Sequence, residues 1–137
     1  MKKQFLFIVF FVSAFALLTA TFAQAPPDPV SAKKSVVIEN NYLAGLESDN
    51  QGIKVSCAFF LGEAGTDRAV IPLMKMFREE EDPSAKFIAA WSLLKIGDKR
   101  GVYRVKMEAE RSDSEYMRTI LDYLYKDFCL KTYGKVL

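Results

Sequence analysis

The sequence predicts an all-α chain, a stack of short paired helices that follows an export signal. Three observations carry this. The first twenty-odd residues have the layout of a secretory signal, the remainder matches itself at a shift of 32 residues, and the matching apolar runs are bounded by residues that start and stop helices.

The N-terminal segment is set aside first. Lys2 and Lys3 form a positive end, and Phe5 to Leu18 is apolar except for Ser13. That is the length of a signal core and short for a membrane span. Thr21-Phe22-Ala23 supplies the small-x-small pattern for cleavage after Ala23, whereas a cut after Ala25 would leave Pro26 beside the scissile bond. An uncleaved anchor or a buried helix are the alternatives, and length and flanks favour the signal over both. No cysteine lies near the cut, as a bacterial lipoprotein would need. Residues 1–23 therefore read as a signal peptide, and the mature chain as periplasmic or secreted, without stable membrane insertion.

Cleavage changes the charge argument. The whole chain holds 19 Lys and Arg against 17 Asp and Glu, and loss of Lys2 and Lys3 leaves 17 of each. A chain without net charge lacks the basic excess that draws nucleic acid or anionic lipid. What is left fits one small domain.

Residues 24–34 hold three prolines among small and polar residues, a composition that favours an extended linker. Folding is expected to begin near Ser35. Ser35 to Leu46, with Val36, Val37, Tyr42, Leu43 and Leu46, reads as a second helix without its first. Asp49–Phe77 and Glu81–Ala109 then align without a gap, matching Ala58 with Ala90, Phe59 with Trp91, Leu61 with Leu93, Gly65 with Gly97 and Arg68 with Arg100. Two helices joined at a glycine, repeated at this spacing, describe a unit that buries its face only against its neighbours.

The boundaries have physical causes. Asn50 and Asp82 can accept hydrogen bonds from first-turn amides, and Pro83 suits the first helical position. Gly65 and Gly97 stand where positive φ is wanted, with Thr66 and Asp98 as caps of the following helices. Pro72 would remove a bond from a helix interior, so the second helix of the first copy should begin near Ile71, after a tighter turn at residues 67–70. Ser112 and Glu115 have capping-box spacing before a last helix carrying Met117, Ile120, Leu121, Leu124 and Phe128 on one stripe. The repeat domain thus spans 35–130, and residues 131–137 read as a flexible tail.

Ala58, Leu61, Gly62 and Gly65, the run Asp67 to Leu73 and the run Ala89 to Asp98 resemble HEAT-like repeats, including those of phycobilisome-lyase relatives. The resemblance covers about two thirds of the chain and is specific for fold. It implies a short right-handed α-solenoid of stacked antiparallel helix pairs, about six helices in all, with the second helices on a concave, partner-binding side. It also suggests, as an alternative function, a lyase-like or chaperone-like factor for a bound chromophore.

Catalytic chemistry finds little footing. The chain has no histidine, which removes the commonest general base and metal ligand. Glu79, Glu80, Glu81 and Asp82 lie at an expected turn, and a solvated turn that caps the next helix is preferred there to a calcium or acid–base site. The glycines follow helices instead of opening a phosphate loop. No catalytic, cofactor or metal site is expected. Cys57 and Cys129 should lie two repeats apart, too far to bridge, with Cys57 a small core residue.

Binding is the remaining role. Lys75, Arg78, Arg104 and Lys106 fall on the second helices and suit an acidic protein or peptide; an ordinary solvated face is the alternative. Arg68 and Arg100, beside Asp67 and Asp98, are expected to pair with carboxylates of adjacent turns and hold the stack, a ligand role being the other reading. Phe59 and Trp91 should fill one layer of a continuous core, each worth about 3–5 kcal/mol on truncation. Tyr116, Tyr123, Tyr125 and Tyr133 form either an end cap or a docking surface, the latter making the chain an accessory subunit of an envelope assembly.

Overall fold

The computed structural model describes residues 29–134, which form six α-helices and no strand. The expected signal peptide (residues 1–23), the part of the expected linker up to Asp28 and residues 135–137 lie outside the described residues. The helices are α1 (Pro29–Gly45), α2 (Gln51–Ala64), α3 (Val70–Glu79), α4 (Pro83–Ile96), α5 (Lys99–Arg111) and α6 (Glu115–Tyr133). From Lys34 onward the described residues pack as one compact unit.

The first helix corrects the start expected at Ser35. Pro29 opens α1, where its missing N–H breaks no helical bond, and no further breaker follows before Gly45. Its apolar stripe is also shorter than expected: Val36 and Val37 are exposed, and burial begins with Tyr42, Leu43 and Leu46.

The 32-residue frame is present in the helices themselves. Shifting α2 by 32 places Gln51–Ala64 onto Pro83–Ile96, the bounds of α4. The caps repeat as well. Asn50 Oδ1 accepts from the Ile53 amide at 3.2 Å, and Asp82 Oδ2 from the Ala85 amide at 2.8 Å. At the other ends Gly65 (φ 66°) and Gly97 (φ 76°) turn the chain left-handed and donate their amides to Leu61 and Leu93. Only glycine enters that region without a Cβ penalty.

The second helices differ between copies, for a reason visible in one residue. In the first copy Asp67–Ala69 forms a 3-10 turn and α3 starts at Val70, close to the start expected from Pro72. Pro72 is then the third residue of α3, where backbone amides have no intrahelical acceptor to lose. The second copy carries Arg104 at that position, and α5 runs unbroken from Lys99. Asp98 caps it as expected, whereas Thr66 makes no side-chain cap bond.

The core is made at the equivalent positions. Ala58 and Ala90, Leu61 and Leu93, and Leu73 and Val105 are all fully buried, together with Val70, Phe77, Leu121 and Cys129. Each large side chain so buried contributes about 1.5–3 kcal/mol. The broadest contacts join α2 to α4, α3 to α4 and α5 to α6, so α4 is the hub. Small residues set the α2–α4 approach: a Cβ on Gly62 would come within 2.8 Å of Ser92 Cα. Ser92 is itself buried, its hydroxyl shared between the carbonyls of Ala58 and Ile88, both at 2.8 Å.

The last helix corrects two expectations. Ser114 caps α6, accepting from the Met117 amide at 3.3 Å, and Ser112 instead ends α5. A cap must sit one residue before the first helical residue, and Glu115 is that residue, so the capping-box spacing of Ser112 is not used. At its other end α6 continues to Tyr133 and closes on Gly134 (φ 68°), so residues 131–133, expected in a flexible tail, are helical.

Candidate functional site

Three of the four cationic side chains singled out from sequence meet at one place. Lys75 and Arg78 of α3 and Arg104 of α5 line an open groove of about 460 Å³, whose remaining lining is Ile71 and Met74. The α3 residues recur at i, i+3, i+4 and i+7, one face of the helix. Ile71 is exposed and Met74 half-buried, so the groove's lining combines two apolar side chains with three cations. Lys106 is not part of its lining.

Each cation already has a carboxylate near it. Lys75 Nζ lies 3.0 Å from Glu47, Arg78 Nη2 2.7 Å from Glu79, and Arg104 Nη2 3.6 Å from Glu108. Lys106 Nζ lies 3.9 Å from Glu110. Exposed pairs of this kind are worth about 0–1 kcal/mol, so an incoming carboxylate can replace the resident one at small cost. Sequence reasoning found the cations and missed Ile71 and Met74; the signal for them was their place on the same helical stripe.

The two repeat arginines act differently. Arg68 reaches back to α1, donating from Nη1 to Glu39 Oε2 at 2.9 Å and from Nη2 to Asn40 Oδ1 at 2.8 Å. These bonds join the 3-10 turn after α2 to the middle of α1, not to an adjacent turn. Arg100 instead forks onto Asp98, its own helix cap, at 2.9 and 3.2 Å. Its hydrogen bonds and charge hold the Asp98 carboxyl below the usual range. A further tie, unforeseen, joins α2 to the turn after α3: Lys54 Nζ donates to Glu80 Oε1 at 2.6 Å and Gln51 Nε2 to Glu80 Oε2 at 3.0 Å. These bonds, Lys54's first, lower the Glu80 pKa. The acidic turn is therefore in structural use, with Glu80 paired and Asp82 capping α4.

Phe59 and Trp91 do share a layer, stacked with centroids 5.1 Å apart and planes 11° from parallel. The layer is at the surface and not in the core as expected, since Phe59 is 39% exposed and Trp91 half-buried. The inward positions of these helices are taken by alanine and leucine, which leaves the aromatics on the flank. Phe60 and Tyr42 extend the row, stacked at 5.3 Å. Lys95 Nζ lies 5.6 Å over the Trp91 ring, opening a pocket shared with Phe128 of α6. Of the four C-terminal tyrosines, Tyr116, Tyr123 and Tyr133 are exposed and Tyr125 is buried.

Cys57 and Cys129 are both free and buried. Burial pushes the Cys57 thiol up, the reverse of the exposed, acidified thiol that nucleophilic chemistry requires. Among the described residues, no group of three or more acidic or cysteine side chains is placed to hold a metal ion, and no helix is long and apolar enough to cross a membrane.

No protein-family model matches the chain, and no curated protein is similar to it in sequence.

Proposed function

We infer that the chain is an exported interaction module of the HEAT-like kind, a short right-handed α-solenoid that binds another protein and performs no catalysis of its own. Three features support the solenoid reading: first helices α2, α4 and α6 pack in succession, second helices α3 and α5 meet, and Arg68 links one unit to the next. The observation that carries the binding role is the convergence of Lys75, Arg78 and Arg104 with Ile71 and Met74. A groove of that composition suits a protein segment that carries both apolar side chains and Asp or Glu. The chromophore-factor reading has less support, because the one cysteine in an apolar helix is covered.

The test is capture from envelope extract with the wild-type chain and with Lys75→Glu, Arg78→Glu and Arg104→Glu combined, followed by crosslinking and sequencing of the captured segment. Crosslinks from Lys75 are expected on acidic segments, with recovery falling at least about tenfold in the variant. Equal recovery by both chains would remove the groove from the function.

A further inference from the structure

The outer face of α6 carries Tyr116, Tyr123 and Leu130 at intervals of seven residues, respectively 64%, 75% and 52% exposed. Seven residues drift only about 20° around a helix, so the three side chains form one straight stripe about 20 Å long. The opposite face of the same helix is buried through Met117, Leu121, Leu124 and Tyr125. Among the described helices α4 packs on α2 and α6 packs on α4; α6 is the last of these, and its stripe lies on the side away from the buried face.

We propose that this stripe is a self-association surface, and that two copies of the chain pair through antiparallel α6 helices about a twofold axis at Tyr123. The sequence of the stripe is its own complement in that arrangement: Tyr123 meets Tyr123 of the second copy, and Tyr116 meets Leu130. The centre of the stripe sets the register, and charge favours a second copy as the occupant. On one flank of the stripe Lys126 lies 2.7 Å from Asp122 of its own helix. A twofold at Tyr123 keeps each flank on its own side of the interface, so Lys126 of one copy falls beside Asp122 of the other, and the two intrahelical pairs close into a ring of four alternating charges. An isologous contact of this kind closes on itself and yields a dimer instead of a filament. The stripe is separate from the groove lined by Lys75, Arg78 and Arg104, so a dimer presents two grooves, and a partner with two acidic segments gains avidity.

The test is sedimentation equilibrium of the chain as recovered from expressing cells, its N-terminus read by mass spectrometry, with helicity followed by circular dichroism. The wild type is expected to dimerise in a concentration-dependent way. Tyr123→Glu, which sets two carboxylates together on the axis, should weaken the dimer at least about tenfold with helicity kept, because that side chain is already exposed. Lys126→Glu should weaken it too, and adding Asp122→Lys in the same chain should recover affinity to within about threefold. A wild type that stays monomeric at high micromolar concentration, a Tyr123→Glu dimer of unchanged affinity, or a charge swap that fails to restore Lys126→Glu would each overturn the proposal.

Discussion

Gly62 lies against Ser92 so closely that a Cβ at position 62 would meet the Ser92 Cα, Cβ and Oγ at 2.8 Å. Two effects then oppose each other in Gly62→Ala. Alanine favours a helix by about 1 kcal/mol over glycine, but the clash is with backbone of the facing helix, which cannot rotate away. Overpacking wins, with a net loss of about 1–3 kcal/mol expected by urea denaturation. Ser92→Ala should cost only about 0.5–1.5 kcal/mol, since it removes one shared hydroxyl bond. Ser92→Gly should rescue Gly62→Ala in part only, because the Ser92 Cα stays in place.

Arg68 and Arg100 occupy the same repeat position but should not be equivalent in solution. Glu39, the partner of Arg68, has a side chain only 12% exposed, so Arg68→Ala leaves a largely buried carboxylate without its cation. Amide exchange in α1 is expected to speed up at least about tenfold, with α4 unchanged. Arg100→Ala breaks a local, exposed contact and should alter neither. Equal effects of the two substitutions would show that Arg68 does not tie α1 to the rest.

Phe77 and Phe59 separate core from flank. Phe77 is fully buried, and Phe77→Ala should cost about 3–5 kcal/mol. Phe59 keeps a good part of its surface in water and gains mainly from stacking on Trp91, so Phe59→Ala should cost about 1–2 kcal/mol. Chemical denaturation of the two variants checks the order.

Acid should weaken the molecule through Glu80. Its pKa is lowered in the folded chain, first by the hydrogen bond from Lys54. A carboxylate lowered by folding stabilises the folded form above its ordinary pKa, near 4.3, and this is lost as pH falls through the lower, folded value. Glu80→Gln should therefore be less stable than wild type at neutral pH, with the gap closing below about pH 4. A gap that stays constant with pH would place the effect elsewhere.

Alkali should act through Tyr125. Burial, then a hydrogen bond with Cys129, pushes its pKa up from an ordinary 10 to about 12. Keeping the phenol neutral contributes stability that is complete below pH 10 and lost as pH rises toward 12. Ultraviolet titration should show a tyrosine phase near pH 12, and Tyr125→Phe should abolish it.

The helical frame was legible because its signals are local. Asn50, Asp82, Gly65 and Gly97 bound α2 and α4 where the chain chemistry says, and Pro72 marks the late start of α3. Choices between adjacent candidates were harder: Ser112 and Ser114 are both good caps, and the helix start decides between them. Harder still were properties that depend on which side of a helix faces inward. Phe59 and Trp91 looked like core because they are apolar, yet small residues win the interior when two helices approach as closely as α2 and α4 do. For the groove, sequence supplied Lys75, Arg78 and Arg104 but not their convergence, since α3 and α5 lie a full repeat apart along the chain. That Arg100 would fork onto its own helix cap, while Arg68 reaches across to α1, depends on three-dimensional neighbours that periodicity does not encode.

Gly45, at the end of α1, sits over Cys57 so closely that a Cβ there would overlap the sulfur. The thiol thereby becomes a gauge for the first helix. Its modification by a small reagent should quicken whenever α1 lifts, so the speed of labelling follows how often that helix lets go, and anything that clamps α1 in place will announce itself as a slower reaction at a single sulfur atom.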